Sequence, residues 1–215
     1  MNPVDISLYG IVDPEHALER SVGELARAAA ENGATLIQYR DKKNDIRKMI
    51  ENAKAIRQGL EGTHVPLIVN DRVDVALACE ADGVHLGQED MLARDARRLL
   101  GPEAIIGISI KTHEHANACP VSEIDYAFVG GVFDTTSKDN PKALGLDGWL
   151  ALANIIKTKE PNMPVGAIAG IDHINAREVM ASGCDGIAVI SALFRQDDIA
   201  ASTRKLAALI REGKS

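Results

Sequence analysis

The chain has 215 residues, 46% of them hydrophobic and 26% charged, a balance that fits a globular domain and excludes the disordered and membrane-spanning classes. Lys and Arg total 24 against 31 Asp and Glu, a formal charge of −7, so no overall basic field draws nucleic acid or anionic lipid, and an anionic ligand must meet a local positive cluster. Cys79, Cys119 and Cys184 lie far apart without C-x-x-C spacing, which excludes a disulfide scaffold and a zinc knuckle and fits small core residues in a reducing compartment. The first ten residues, MNPVDISLYG, carry neither a positive n-region nor an apolar h-region, and no apolar run approaches membrane-spanning length, so a cytoplasmic protein is expected.

Short runs rich in Val and Ile alternate with longer stretches of helical apolar spacing, which predicts βα units. Strands are predicted at residues 8–12, 36–40, 67–70, 83–86, 105–110, 126–129, 165–168 and 186–190. Asp13-Pro14 supplies an N-cap with Pro at the first helical position, followed by a helical stripe of Leu18, Val22, Leu25 and Ala29. Ile46, Met49, Ile50, Ala53 and Ile56 form the next stripe. The most polar loop, 134–142, follows the sixth strand and has the length of a functional loop rather than a domain junction. After the seventh strand Asp172 is expected to begin a helix with Gly183 just past its end, and Ile199, Thr203, Leu206 and Ile210 form a last stripe. No G-x-G-x-x-G follows the first strand, so the units are expected to close as one (β/α)8 TIM barrel of the α/β class over residues 1–215 rather than to open as a doubly wound sheet.

In such a barrel the site lies at the carboxyl ends of the strands. The second strand ends in Gln38, Tyr39, Arg40, Asp41 and Lys42, and strand alternation puts Gln38, Arg40 and Lys42 on one face, where a guanidinium fork and an ammonium suit phosphate oxygens. The same run also reads as a solvated loop starting the next helix. Asp71 after Asn70, and Asp90 after the fourth strand, can share a hard cation such as Mg²⁺, completed by water and substrate phosphate, or can cap the helices beginning near Val73 and Met91. Ser109 interrupts an apolar strand, and Thr135, Thr136, Ser137 and Lys138 form a hydroxyl-rich, cationic loop suited to an anion. Gly170 and Ile190-Ser191 sit where barrels hold a phosphate, or else serve as a turn glycine and a cap on the last helix. Six scattered histidines lack the H-E-x-x-H spacing, and His85, within an apolar strand, reads as a hydrogen-bonded structural residue.

Taken together, the stretches Gln38 to Lys42, Asn70-Asp71-Arg72-Val73-Asp74-Val75-Ala76, Gly83-Val84-His85-Leu86-Gly87-Gln88-Glu89-Asp90, Ile106-Gly107-Ile108-Ser109, Val132 to Lys138 and Val189-Ile190-Ser191 resemble the thiamine phosphate synthase family, in family order over most of the chain. The resemblance implies a barrel enzyme that joins hydroxymethylpyrimidine diphosphate to hydroxyethylthiazole phosphate, a transferase releasing pyrophosphate through a pyrimidine cation. By motif position it implies that Gln38, Arg40, Lys42, Asn70, Ser109 and Lys138 hold the diphosphate, with Tyr39 and Asp41 in the same stretch, and that Asp71 and Asp90 bind Mg²⁺. Thr135, Ser137, Gly170, Ile190 and Ser191 would hold the thiazole phosphate, with Thr136 among them, and Lys138, Arg40, Lys42 and Ser109 are the expected catalytic groups. The chain departs from the family pattern at Ala169, where the family has glycine, and at Asp134, where it has proline. The implied partners are these small molecules, with no nucleic acid or membrane; a homo-oligomer is compatible with the sequence. Two other readings remain: a thiazole tautomerase, whose histidine after the sixth strand is replaced here by Gly130-Gly131, and a catalytically silent ligand-binding or regulatory barrel.

Overall fold

Each short apolar run becomes a strand because it is covered on both faces, by the barrel interior and by a layer of helices. The structure, a computed structural model, describes residues 4–134 and 143–214. Eight parallel strands, β1 (Leu8–Val12), β2 (Leu36–Tyr39), β3 (Leu67–Asn70), β4 (Gly83–Leu86), β5 (Ile105–Ile110), β6 (Tyr126–Gly130), β7 (Val165–Ile168) and β8 (Ile187–Val189), close in sequence order, with β8 paired to β1. The predicted (β/α)8 barrel is therefore the observed fold. Among the described residues the helices are α1 (Val22–Ala30), α2 (Ile46–Leu60), α3 (Val73–Ala78), α4 (Ala93–Leu100), α5 (His113–Ala118), α6 (Gly145–Lys159), α7 (Ala176–Ala181), α8 (Ser191–Phe194) and α9 (Ile199–Gly213). None of them is long and apolar enough to cross a membrane.

Alternation divides the strand residues between two cores. Tyr9, Ile11, Leu36, Ile68, Tyr126, Phe128, Ala188 and Ile190 fill the barrel, while Leu8, Val12, Ile37, Tyr39, Leu67, Val69, Val84 and Leu86 pack outward against the helices. Interior volume is matched across neighbouring strands: Gly107 of β5 pairs with Tyr126 of β6, and a Cβ on Gly107 would lie 2.1 Å from the Tyr126 ring. The glycine admits the large aromatic. Helix starts follow side-chain capping, with Ser21, Asp45, Thr112 and Asp198 each accepting a backbone N–H in the first turn of α1, α2, α5 and α9. The three cysteines are free and buried, and burial pushes the Cys119 thiol up to about 11 and the Cys184 thiol up to about 12, so both stay protonated.

Three local expectations change. Asp13-Pro14 opens a single 3-10 turn, Pro14–His16, because Leu18 and Glu19 both take left-handed backbone conformations that end it; Leu18 is left exposed, off the helical stripe, and α1 starts only after the Ser21 cap. Asp172 forms a turn rather than a helix start: its carboxylate accepts the Ile174 N–H at 2.7 Å, its own N–H donates to Asn175 Oδ1 at 2.9 Å, and α7 begins at Ala176. Strands β2 and β8 stop at Tyr39 and Val189, short of Arg40 and Ile190.

Gly107→Ala forces a methyl group into the Tyr126 ring, so the variant is expected to lose about 1–3 kcal/mol of stability, read from the urea midpoint at unchanged slope. An unchanged midpoint would mean that the interior is looser than its geometry.

Candidate active site

The carboxyl ends of the strands open into two clefts. The first, about 440 Å³, is lined by Arg40, Lys42, Asn70, Asp71, Gly87, Gln88, Glu89, Asp90, Ser109, Lys111 and His115, from the ends of β2 to β5. The second, about 290 Å³, lies over β5 to β8 and is lined among others by Ser109, Lys111, Gly130, Gly131, Asp134, Ala169, Gly170, Ile190 and Ser191. Ser109 and Lys111 belong to both, so the two clefts meet at the end of β5.

Two cations of the first cleft, Arg40 and Lys42, are held by acids rather than left loose. Arg40, its side chain only 13% exposed, is paired with the buried Asp13, whose other carboxylate oxygen accepts the Glu15 N–H at 3.0 Å. This is not a solvated loop cluster. Asp13, at the end of β1, aims a guanidinium that the sequence places 27 residues away. Lys42, half exposed, is paired with Asp71. Gln38 is buried and donates from Nε2 to the Tyr9 hydroxyl at 2.8 Å.

The two carboxylates have no helix-capping work. The residues preceding α3 and α4 are Arg72 and Leu92, and neither helix start has a side-chain cap. Asp71 takes a left-handed backbone conformation, φ 61°, held by its N–H donating to the His85 carbonyl at 2.8 Å, a strained arrangement of the kind that persists at functional sites. Asp90 accepts the Gly87 N–H at 2.7 Å and so closes the loop after β4. Burial holds the Asp71 carboxyl above the usual range; the Lys42 ammonium opposes this and the neighbouring Asp90 carboxylate adds to it. Two oxygen-ligand groups that repel each other, with an ammonium drawn onto one of them, form a donor set suited to a small divalent cation.

In the second cleft Gly170 is required twice over. Its φ is +66°, and a Cβ there would lie 2.6 Å from the Asp134 carbonyl oxygen, so the tight-turn reading and the cleft-lining position both apply. Asn175 Nδ2 donates to the Gly170 carbonyl at 2.8 Å and braces the turn. Ala169 is also left-handed, φ 85°, which explains why the departure from glycine matters there: the methyl group sits on a backbone that glycine adopts without cost. Ser191 is the first residue of α8 and makes no side-chain cap, and the last helix is capped by Asp198 instead. Thr135, Thr136, Ser137 and Lys138 lie outside the described residues.

Among the described residues, three expected site residues line neither cleft: Gln38 lies buried beneath the mouth, and the other two are turned away from it. Tyr39 points outward into the helical layer, where its hydroxyl donates to Asp41 at 2.7 Å and accepts from Asn52 at 3.3 Å. Asp41 organises the turn before α2, accepting the Lys43 and Asn44 N–H groups, each at 3.0 Å. In their place the structure adds Lys111 and His115, whose Nδ1 accepts the Lys111 N–H at 3.4 Å. Alternation from Ser109 to Lys111 was the available signal.

Removing Asp13 leaves a buried guanidinium without its counterion, so Asp13→Ala is expected to lose about 3–5 kcal/mol in urea unfolding, against less than about 1 kcal/mol for Lys42→Ala, whose pair is half exposed. Equal small losses would show that the Arg40 pair is solvated. Ala169→Gly relieves the left-handed alanine and is expected to raise stability by up to about 1 kcal/mol, seen as a higher melting midpoint; a drop would show that the turn carries no strain.

Residues 8–193 match the family model described as thiamine monophosphate synthase. The chain is 54% identical over 204 residues to thiamine-phosphate synthase of Agrobacterium fabrum, covering 94% of this chain and 93% of that one. It is 44% identical to the thiamine-phosphate synthase of Chloroflexus aurantiacus over 96% of this chain and 94% of the other. The solved structure of thiamine phosphate pyrophosphorylase from Pyrococcus furiosus superposes with a TM-score of 0.84 at 37% identity, over 99% of this chain and 98% of that one. A barrel with paired clefts at the strand ends, matched along nearly its whole length, belongs to the thiamine monophosphate synthase family.

Proposed function

We propose that the chain condenses hydroxymethylpyrimidine diphosphate with hydroxyethylthiazole phosphate to give thiamine phosphate and pyrophosphate. Its family membership supports this, and the observation that carries the reading at the level of geometry is the meeting of two clefts at Ser109 and Lys111, which lets two phosphorylated heterocycles lie side by side. The diphosphate belongs in the first cleft, where Arg40 and Lys42 supply charge-assisted hydrogen bonds, with Gln38, Asn70 and Ser109 on the heterocycle side. The thiazole phosphate belongs in the second, against Gly170, Ile190 and Ser191, and Thr135, Thr136 and Ser137 are assigned to it by family resemblance alone.

The bond between the pyrimidine methylene carbon and the diphosphate oxygen breaks with its electron pair leaving on oxygen. The aminopyrimidine ring delocalises the resulting cation, and the thiazole nitrogen lone pair then forms the new carbon–nitrogen bond. No protein nucleophile is required. Arg40, pre-aimed by Asp13, meets charge that grows on the leaving group, as do Lys42 and, by family resemblance, Lys138. Asp71 and Asp90 would hold Mg²⁺, which when bound neutralises diphosphate charge. Closely packed substrates keep water from the cation.

The synthase reading is preferred to the tautomerase because glycines, Gly130 and Gly131, line the mouth after β6 where that enzyme is expected to use histidine. It is preferred to a silent barrel because a binding module has no use for a carboxylate pair that repels itself. Three free, buried cysteines suit a reducing compartment, and the cytoplasm is the proposed location.

Asp71→Asn and Asp90→Asn keep the backbone contacts, since Asn tolerates the left-handed conformation and can still accept the Gly87 N–H. Each is expected to keep its melting midpoint within a few degrees while needing at least about ten-fold more Mg²⁺ for half-maximal turnover. Normal Mg²⁺ titrations in both variants would refute the shared cation.

A further inference from the structure

Beneath the mouth, a line of buried hydrogen bonds crosses the barrel and runs from the buried Gln38 to Ser109, which lines the first cleft. Gln38 Nε2 donates to Tyr9 Oη at 2.8 Å, and the Tyr9 and Tyr126 hydroxyls lie 2.9 Å apart. Tyr126 Oη is 3.2 Å from His85 Nδ1, and His85 Nε2 is 2.9 Å from Ser109 Oγ. The links come from β2, β1, β6, β4 and β5, and all but Ser109 are buried. The surrounding interior is apolar, so phenylalanine would fill the tyrosine positions without the desolvation that a buried hydroxyl requires.

The donor count gives this line a direction. With the Gln38 amide donating to Tyr9, the single Tyr9 proton goes on to Tyr126 and the Tyr126 proton to His85 Nδ1. In its neutral form His85 then carries its proton on Nε2 and gives it to Ser109 Oγ, leaving the serine proton for a ligand. Burial raises both tyrosines far above the usual phenol range, so neither loses its proton at ordinary pH.

We propose that Tyr9, Tyr126 and His85 are positioning residues that fix Gln38 Oε1 as an acceptor and the Ser109 hydroxyl as a donor toward the pyrimidine diphosphate. The inference rests on the proposed assignment of that substrate to the first cleft. A heterocycle lying between β2 and β5 then meets an acceptor at one side and a donor at the other, a polarity that an aminopyrimidine bearing an anionic leaving group satisfies, with an amino N–H at one end and an acceptor atom at the other. The chain thus sets specificity from below the site without touching substrate.

The test uses Tyr9→Phe and Tyr126→Phe, which remove one oxygen each and keep the ring. Each is expected to lower kcat/KM for the pyrimidine diphosphate about ten-fold, to change KM for the thiazole phosphate less than about two-fold, and to keep the melting midpoint within a few degrees. The double variant is expected to be no worse than the poorer single variant, because a chain broken once is already broken. Equal losses for both substrates, additive losses, or none would overturn the positioning role. Independently of turnover, ¹⁵N NMR of the free wild-type protein should show His85 as the Nε2–H tautomer, with that tautomer mixed in Tyr126→Phe. An Nδ1–H tautomer in the wild type would overturn the direction of the chain. A wild-type protein that fails to condense the two heterocycles but shows the expected tautomer would refute the substrate assignment, and with it this role, while leaving the chain's direction established.

Discussion

A parallel strand covered on both faces can carry a polar side chain only where the cover ends or where another buried group completes its hydrogen bonds. Every functional feature of this barrel follows from that constraint. The interior is filled by Leu36, Ile68, Tyr126 and Phe128, with the polar Gln38, His85 and Ser109 set among them, and the barrel opens at the carboxyl ends into the clefts, the first at Arg40, Asn70 and Asp71. The polar groups that sit below the opening are linked to one another, so they bring little unpaired polarity into the core and present a set orientation to the mouth.

The second organising feature is electrostatic. A chain of net charge −7 attracts two anionic substrates only by concentrating cations, and Arg40, Lys42 and Lys111 meet in one cleft. Asp13 fixes Arg40 from below, while Lys42 rests on Asp71 at the surface. The difference in burial separates a guanidinium held in one place from an ammonium free to move once another cation takes its carboxylate. Groups held in place before the reaction need little reorganisation as charge develops on a leaving group, which is where electrostatic catalysis gains most.

Much of the fold was legible in the sequence because the strands are short, apolar and bounded by turns, so five of them, β1, β3, β4, β5 and β7, coincide with the predicted ranges. The helix starts were less so. Leu18 has the right spacing for a helical stripe, but no composition signal reveals the left-handed residues that stop the preceding turn. At the site, alternation groups Arg40 with Lys42, which line one cleft, while Gln38 lies buried beneath it, and the same rule puts Tyr39 outward; Tyr39 and Asp41 entered the expected site only because the resemblance treats the stretch as continuous. Asp13 read as a helix cap and does cap a turn, but its pairing with Arg40 depends on β1 and β2 lying side by side. Tyr9 and Tyr126 were indistinguishable from ordinary core aromatics, since nothing local marks a hydroxyl whose partner lies across a barrel.

The central claim is that this mouth joins two phosphorylated heterocycles by expelling pyrophosphate. The most direct measurement incubates the wild-type protein with hydroxymethylpyrimidine diphosphate, hydroxyethylthiazole phosphate and Mg²⁺, and follows pyrophosphate alongside the mass of the organic product. The account predicts thiamine phosphate and pyrophosphate appearing in equal amounts, with little pyrophosphate released when the thiazole phosphate is omitted. A folded protein that releases no pyrophosphate under these conditions, or releases it without forming thiamine phosphate, would contradict it.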